Sequence, residues 1–374
     1  MTEPLRVLSL IKGLGPGGAE RLLVEQASAG DRSRFHHEVA YVLDWKQHLV
    51  PELDELGVPT HCLGVHDERD PRWVTRLAGL LRRDHYDVVH AHSPLVATVA
   101  RVEVKARPKD RRPAFVYTEH NRWPSYRAET RLANQLTFGL NDAVFAVSED
   151  VRRSVSPRYR AAVEVVIHGV DGARVRAQLP TREVTRRELG VRPGESLAVT
   201  VANLRDDKNY AGLIDAARLV VGRGTPVRFA TAGQGPLEPQ IRELQRGSGL
   251  GDRFMLLGYR DDATRLIAAA DLFVLASHHE GLPVTVMEAL TLGVPVVAPA
   301  VGGLPEVVTS GNNGILVTAR SAPALADAIA QAVEPGMHAR LVAGASDTGD
   351  RFSARHAIAR IEATYAALAP TPRS

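Results

Sequence analysis

Short runs of apolar residues alternate, from Leu5 to Leu368, with stretches in which apolar positions recur every three or four residues. Short runs bounded by turn residues read as buried strands, and the longer periodic stretches read as helices covering a parallel sheet on both faces. LRVLSLI, HEVAYVLD, DVVHAH, AFVYTEH, DAVFAVS and VEVVIHG form a first strand series that ends near Gly169. SLAVTVAN, VRFATAG, RFMLLGY, DLFVLAS, PVVAPA and GILV form a second, with helices between them such as the one that aligns Leu213, Ala217, Val220 and Val221. The pattern predicts two doubly wound α/β domains in tandem, residues 1–170 and 171–350, joined through a polar stretch from Asp171 to Thr181. Residues 351–374 read as a helix starting after Ser353, with Ile358, Ile361, Tyr365 and Leu368 on one stripe that packs back onto the first domain.

Composition narrows the function classes. The 374 residues are 44% hydrophobic and 24% charged, ordinary values for a folded globular chain. A net charge of +3 gives no electrostatic footprint for nucleic acid. Cys62 is the single cysteine, which excludes an intrachain disulfide and a cysteine-rich metal site and fits a reducing cytoplasm. The apolar run Leu5 to Ile11 is too short to span a membrane and lacks a cleavage site, so a cytoplasmic protein is expected. GxxxxGK[ST], HExxH and GxSxG are all absent.

In open α/β sheets ligands sit at the carboxyl ends of the strands, so the informative residues should follow strands. After the first strand comes KGLGPGGAE, Lys12 to Glu20, whose glycines permit close backbone approach and whose free amides at a helix start suit an anion. Gly13, Gly15 and Gly18 also spell GxGxxG, with Asp44 ending the next strand, so an NAD-dependent oxidoreductase is one reading. Pro16, however, removes a donor from the loop.

In the second series NLRDDKN places Arg205 and Lys208 on a loop leading into a helix, a position suited to gripping a diphosphate. Lys208 is the only lysine after residue 109; the plainer alternative pairs it with Asp206 and Asp207 in a solvated loop. Glu288 is the only charged residue between Gly281 and Pro305, and a carboxylate in that company needs donors. Sugar or ribose hydroxyls would supply them, as would a neighbouring amide. Glu280 stands eight residues earlier, at the expected end of a strand, and a pair of carboxylates also fits glycoside hydrolysis.

GGAE at Gly17, DVVHAH at Asp87, TEH at Thr118, AVS at Ala146, HGVD at His168, NLRDDKN at Asn203, AGQGP at Ala232 and EGLPVTVMEA at Glu280 follow one another in an order that resembles the family 4 glycosyltransferases. The resemblance implies the GT-B architecture, two facing Rossmann-like domains with an interdomain cleft, and a retaining enzyme that uses a nucleoside-diphosphate sugar, UDP favoured. Residue by residue, it gives Arg205 and Lys208 the donor diphosphate, Glu288 the ribose, Glu280 the transferred sugar beside its anomeric carbon, and His120 the sugar from the acceptor side. The amides of Gly17 and Gly18 would approach the phosphates, Gly281, Leu282, Val284 and Thr285 would complete the donor site, and His92 is an acceptor-side candidate. Two departures stand out: the family's usual arginine position is Asn203, and Pro283 replaces a common glycine.

The resemblance further implies same-face attack as the diphosphate leaves, with that diphosphate taking the acceptor proton. No metal or other cofactor is expected, since cations and helix amides can stabilise the leaving group and the chain has no DxD triplet. The acceptor is a sugar or lipid-linked hydroxyl compound, with polysaccharide and small-molecule glycoside open as well. Arg72, Arg76, Arg82 and Arg83, with the basic stretch 101–112, suit peripheral contact with an anionic membrane, although such charges more often solvate a face. A non-catalytic nucleotide-sugar-binding module is the remaining alternative.

Overall fold

The apolar runs form two wholly parallel sheets in a computed structural model that describes residues 3–369 except 110, 319, 320 and 350. The chain divides into two compact units, one of residues 1–168 with 354–374 and the other of residues 169–353.

The first unit holds a seven-stranded sheet in the order β3-β2-β1-β4-β5-β6-β7. Its strands are β1 (Leu5–Ile11), β2 (Phe35–Leu43), β3 (Thr60–Val65), β4 (Val88–Ala91), β5 (Ala114–Glu119), β6 (Ala143–Ala146) and β7 (Val163–Val165). Helices α1 (Gly18–Ala29), α2 (Arg72–Arg83), α3 (Pro94–Lys105) and α4 (Ala128–Thr137) cover its faces. Strand β3 is the one the apolar pattern misses. Its sequence THCLGV has no continuous apolar run, since Thr60 and His61 are polar and Gly64 separates Leu63 from Val65, which an edge strand paired on one side only, to β2, tolerates.

The C-terminal helix Ala354–Leu368 belongs to this first unit. Ala357, Ile361 and Tyr365 pack with Val7, Phe35, Val88, Val116 and Phe145 of the sheet, and Tyr365 is fully buried. Residues 370–374 of the expected C-terminal segment lie outside the described residues.

The second unit has a six-stranded sheet in the order β10-β9-β8-β11-β12-β13. The strands are β8 (Ser196–Val201), β9 (Val227–Ala232), β10 (Phe254–Leu256), β11 (Leu272–Val274), β12 (Val296–Pro299) and β13 (Gly314–Val317). Helices α5 (Tyr210–Gly222), α6 (Ala263–Ala268) and α7 (Val284–Thr291) bear on the site below. The expected linker from Asp171 is instead ordered helix inside this unit: Asp171 caps Gly172–Arg176 by accepting from the amides of Ala173 (3.0 Å) and Arg174 (3.1 Å), and Val175 is fully buried.

Both sheets start from a central strand and wind outward in two directions. The order reverses between β1 and β4 in one unit and between β8 and β11 in the other. Loops diverge at such a switch point and open a crevice there.

Candidate active site

In the second unit the two strands at the switch point each deliver a charged residue. After β8 the chain turns through a short 3-10 segment, Asp206–Lys208, and Asn209 then takes a left-handed conformation (φ 50°) to start α5. Asn209 caps that helix by accepting from the Gly212 amide at 3.1 Å, and its own amide donates to the Ala276 carbonyl at 3.2 Å. The His278 amide donates to the Asp207 carbonyl at 2.8 Å, so the loop after β11 is fastened to the turn after β8.

This fastening brings Lys208 and Glu280 together. The Lys208 ammonium donates to both Glu280 carboxylate oxygens, at 2.9 and 2.8 Å, and lies 3.4 Å from Asp207. Their side chains are only 18% and 6% exposed, so the pair is largely out of water. Burial pulls the Lys208 ammonium's pKa down, but the charges of Glu280 and Asp207 outweigh it and the net shift is upward. Lys208 is therefore a cation, and its partner is Glu280 as well as the neighbouring aspartate considered from sequence.

Glu280 does not end a strand, as the apolar pattern suggested. β11 stops at Val274, and Glu280 lies in the loop before α7. That loop is held by close backbone packing: the Gly303 amide donates to the Gly281 carbonyl at 2.7 Å. Gly302 has φ 58°, and a Cβ there would collide with the Glu280 carbonyl oxygen. Gly233 and Gly235 of AGQGP are glycines for the same kind of reason, since a Cβ on either would strike the backbone of Ala202 or Leu204 in the loop after β8.

Helix α7 starts directly after Pro283 with no side-chain cap. Proline suits this place because the first amides of a helix lack intrahelical acceptors in any case. The remaining first-turn donors, Val284 and Thr285, follow Gly281 and Leu282 at the same sheet edge. Glu288 is on this helix and only 6% exposed, and the Thr264 hydroxyl of α6 donates to its carboxylate at 3.3 Å. Arg205, by contrast, is exposed, and its guanidinium has no partner among the described residues.

In the first unit the switch-point strands β1 and β4 carry the Gly17 loop and His92. The Lys12 amide donates to the Ser93 hydroxyl at 3.0 Å and ties the two loops together. Gly17 stands before α1 in extended conformation, and Glu20 carries its carboxylate against it. A carboxylate in the first turn complements the helix dipole, so a phosphate at the Gly17 and Gly18 amides would share that helix start with a negative charge.

Strands β4 and β5 end in a row of imidazoles. His92 Nδ1 is 3.1 Å from His120 Nε2, the His90 and His92 ring centroids are 4.1 Å apart, and His168 stacks on His120 at 6.0 Å and 14°. Burial, followed by the neighbouring histidines, pushes His90, His92 and His120 well below the usual imidazole range, and burial alone takes His168 down to about 4. The row is neutral at neutral pH.

His90 lies in DVVHAH and His168 opens HGVD, and the sequence assigns neither a role. The HAH spacing was the available signal, because residues two apart on a strand share a face. Glu119, between Thr118 and His120, is a brace rather than a ligand: it is fully buried and accepts from Trp123 Nε1 at 2.8 Å and from the Tyr126 hydroxyl. Burial pushes its carboxyl up to about 7 despite these donors.

Most of the conspicuous basic residues of this unit are committed locally. Arg72 pairs with Asp70, Arg83 with Asp84 and Lys105 with Asp142, while Arg76 donates to the carbonyls of Leu63 and Gly64. Asp110, inside the basic stretch, lies outside the described residues. Among the described residues no helix is long and apolar enough to cross a membrane, and no cluster of histidine, cysteine or carboxylate side chains could hold a metal ion.

Both halves of the chain match known protein families. Residues 16–174 match the family described as Glycosyltransferase Family 4, and residues 181–345 match Glycosyl transferases group 1. The N-acetyl-alpha-D-glucosaminyl L-malate synthase of Bacillus anthracis is 24% identical over 279 residues, 73% of this chain and 72% of that protein. The UDP-Gal:alpha-D-GlcNAc-diphosphoundecaprenol alpha-1,3-galactosyltransferase of Escherichia coli is 24% identical over 275 residues, 70% of each chain. Among solved structures, Anabaena HepE in complex with UDP and glucose superposes with a TM-score of 0.82 at 23% identity, covering 97% of this chain and 99% of that one. The dehydrogenase and hydrolase readings give way to a sugar transferase. With two family matches that together take in most of the chain and Rossmann-like sheets of this order, the protein belongs to the family 4 glycosyltransferases and has the GT-B fold.

Proposed function

We propose that the protein is a retaining, metal-independent glycosyltransferase that moves a sugar from a UDP-sugar to a hydroxyl acceptor. The observation that carries this reading is the Lys208 ammonium, held on Glu280 at the switch point of the second sheet. A diphosphate entering there would take over Lys208 from Glu280 and gain Arg205, whose guanidinium is unengaged, together with the amides of Val284 and Thr285. Fixed cations and helix-start amides contribute most where leaving-group charge grows. Glu288 would hold the ribose hydroxyls, exchanging the long Thr264 contact for shorter ones. Glu280, released from Lys208, would face the transferred sugar.

In the reaction the bond from the anomeric carbon to the diphosphate oxygen breaks as the acceptor oxygen bonds to that carbon from the same face. The acceptor proton passes to the departing diphosphate. His120 of the first unit would steady a hydroxyl of the transferred sugar, with His92 behind it, and Gly17 and Gly18 would approach the phosphates. The Escherichia coli relative is named for a diphosphoundecaprenol-linked acceptor, and a lipid-linked glycan is the acceptor class we would test first. Such an acceptor would bring the first unit, with Arg82 on its surface, to an anionic membrane.

A thermal-shift screen of nucleoside diphosphates and their sugars tests the donor, since a ligand that binds only the folded state raises the melting point. The anomeric configuration of the product, read by NMR, tests retention. Stabilisation by UDP and an axial-to-axial transfer are expected; inversion would overturn the mechanism.

A further inference from the structure

Resting on the placement of His120 at the transferred sugar, we propose that His92 is a positioning residue that fixes His120 with its proton on Nδ1, so that His120 meets the substrate as a hydrogen-bond donor rather than a base.

At the buried end of the row, Gln26, Tyr365 and His90 form a hydrogen-bonded chain. Gln26 Nε2 can only donate, and it reaches the Tyr365 hydroxyl oxygen at 3.1 Å. The hydroxyl proton is then free to point at His90 Nδ1, 2.5 Å away. His90 therefore accepts at Nδ1, carries its own proton on Nε2, and donates it to the Thr118 hydroxyl oxygen at 2.7 Å. Both nitrogens of the His90 ring are thus hydrogen-bonded, which fixes its tautomer. It packs against His92 with the ring centroids 4.1 Å apart and the planes tilted by 38°.

His92 has two nitrogens and one partner. Nδ1 meets His120 Nε2 at 3.1 Å, whereas Nε2 is buried with no hydrogen-bond partner. A neutral imidazole must put its single proton on one of them. On Nε2 it would be a buried N–H without an acceptor, the costlier kind of orphan; on Nδ1 it is used, and only a lone pair is left unpaired. His92 thus donates from Nδ1 to His120 Nε2. His120 accepts there and must carry its proton on Nδ1, and the His168 ring lies nearly parallel to it, 14° off with the centroids 6.0 Å apart. The uniformly lowered imidazole pKa values support single protonation throughout the row.

The test is histidine tautomer assignment by long-range 1H–15N NMR on the full-length, ligand-free protein, with His120 identified by its loss in His120→Gln. The wild-type spectrum should show His120 protonated at Nδ1 and bare at Nε2. In His92→Leu the His120 tautomer should revert toward the Nε2–H form that free imidazole side chains favour. Turnover should fall roughly tenfold with donor KM unchanged, the order of effect seen for lost orienting partners. His92→Asn, whose side-chain amide can donate from near the Nδ1 position, should restore both. A wild-type His120 protonated at Nε2, or a tautomer indifferent to His92→Leu, would overturn the proposal. If His92→Leu does not fold, the wild-type and His92→Asn spectra still decide it. The expected tautomer together with a fully active His120→Ala would instead contradict the sugar contact and leave the tautomer assignment standing.

Discussion

Lys208 and Glu280 come from loops after two different strands and form a bidentate ion pair with nitrogen–oxygen distances of 2.9 and 2.8 Å. Glu280 therefore competes with any diphosphate for the same ammonium. Glu280→Gln should therefore leave UDP affinity equal or higher while turnover falls by about 10²-fold, because an interaction made mainly in the transition state is lost. Calorimetric titration beside steady-state kinetics checks this. A parallel loss of UDP affinity would place Glu280 on the nucleotide rather than the sugar.

Glu288 predicts a different signature. Ribose hydroxyls are bound alike before and during transfer, so Glu288→Gln should raise donor KM about tenfold with kcat nearly unchanged. Circular dichroism guards the interpretation. If the variant unfolds, the buried carboxylate on α7 serves packing instead of the donor.

His120→Ala should separate transfer from nucleotide binding. His120 lies in the first unit and Lys208 in the second, so removing the imidazole should cut turnover by about 10²-fold while UDP alone binds within about twofold of wild type. Full activity, or equal loss of UDP binding, would rule out its place at the sugar.

The histidine row also makes stability depend on pH. A buried histidine whose folded pKa is depressed binds fewer protons folded than unfolded, so its stabilisation is present above the unfolded value near 6.5 and is lost as pH falls. His168, at about 4 when folded, should lose about 1.4 kcal/mol per pH unit between roughly 6.5 and 4. His90, His92 and His120 shift in the same direction. Glu119 acts oppositely: raised to about 7, it favours the folded state as pH falls from 7 toward 4.5. Four imidazoles against one carboxyl leave a net loss, and Glu38, held at about 2, adds its own loss only below about 4.5. Melting curves should move to lower temperature from pH 7 to pH 5, and a flat profile would contradict the buried neutral row.

Much of this was legible in the chain because aliphatic strands and periodic helices announce themselves. Strand β3 was not, since an edge strand such as THCLGV can bury only Leu63 and Val65 and still pair. The reach of β11 was overestimated because Leu275, Ala276 and Ser277 are buried yet serve a loop held by Asn209 and by the Asp207 carbonyl. Burial reads from sequence; the long-range hydrogen bond that replaces a strand ladder does not. The pairing of Lys208 with Glu280 across 72 positions and the stacking of His168 on His120 were equally out of reach. Each depends on which strands the fold places side by side.

Lys208 is proposed to grip the diphosphate of a nucleotide sugar without a metal. Isothermal titration of UDP into wild-type protein and Lys208→Ala, each in excess EDTA, decides this. Binding to the wild type in the chelator and a loss of affinity of about tenfold or more in the variant are predicted, as expected for removing a charge-assisted contact. UDP binding that needs a divalent cation, or equal affinity in the two proteins, would contradict it.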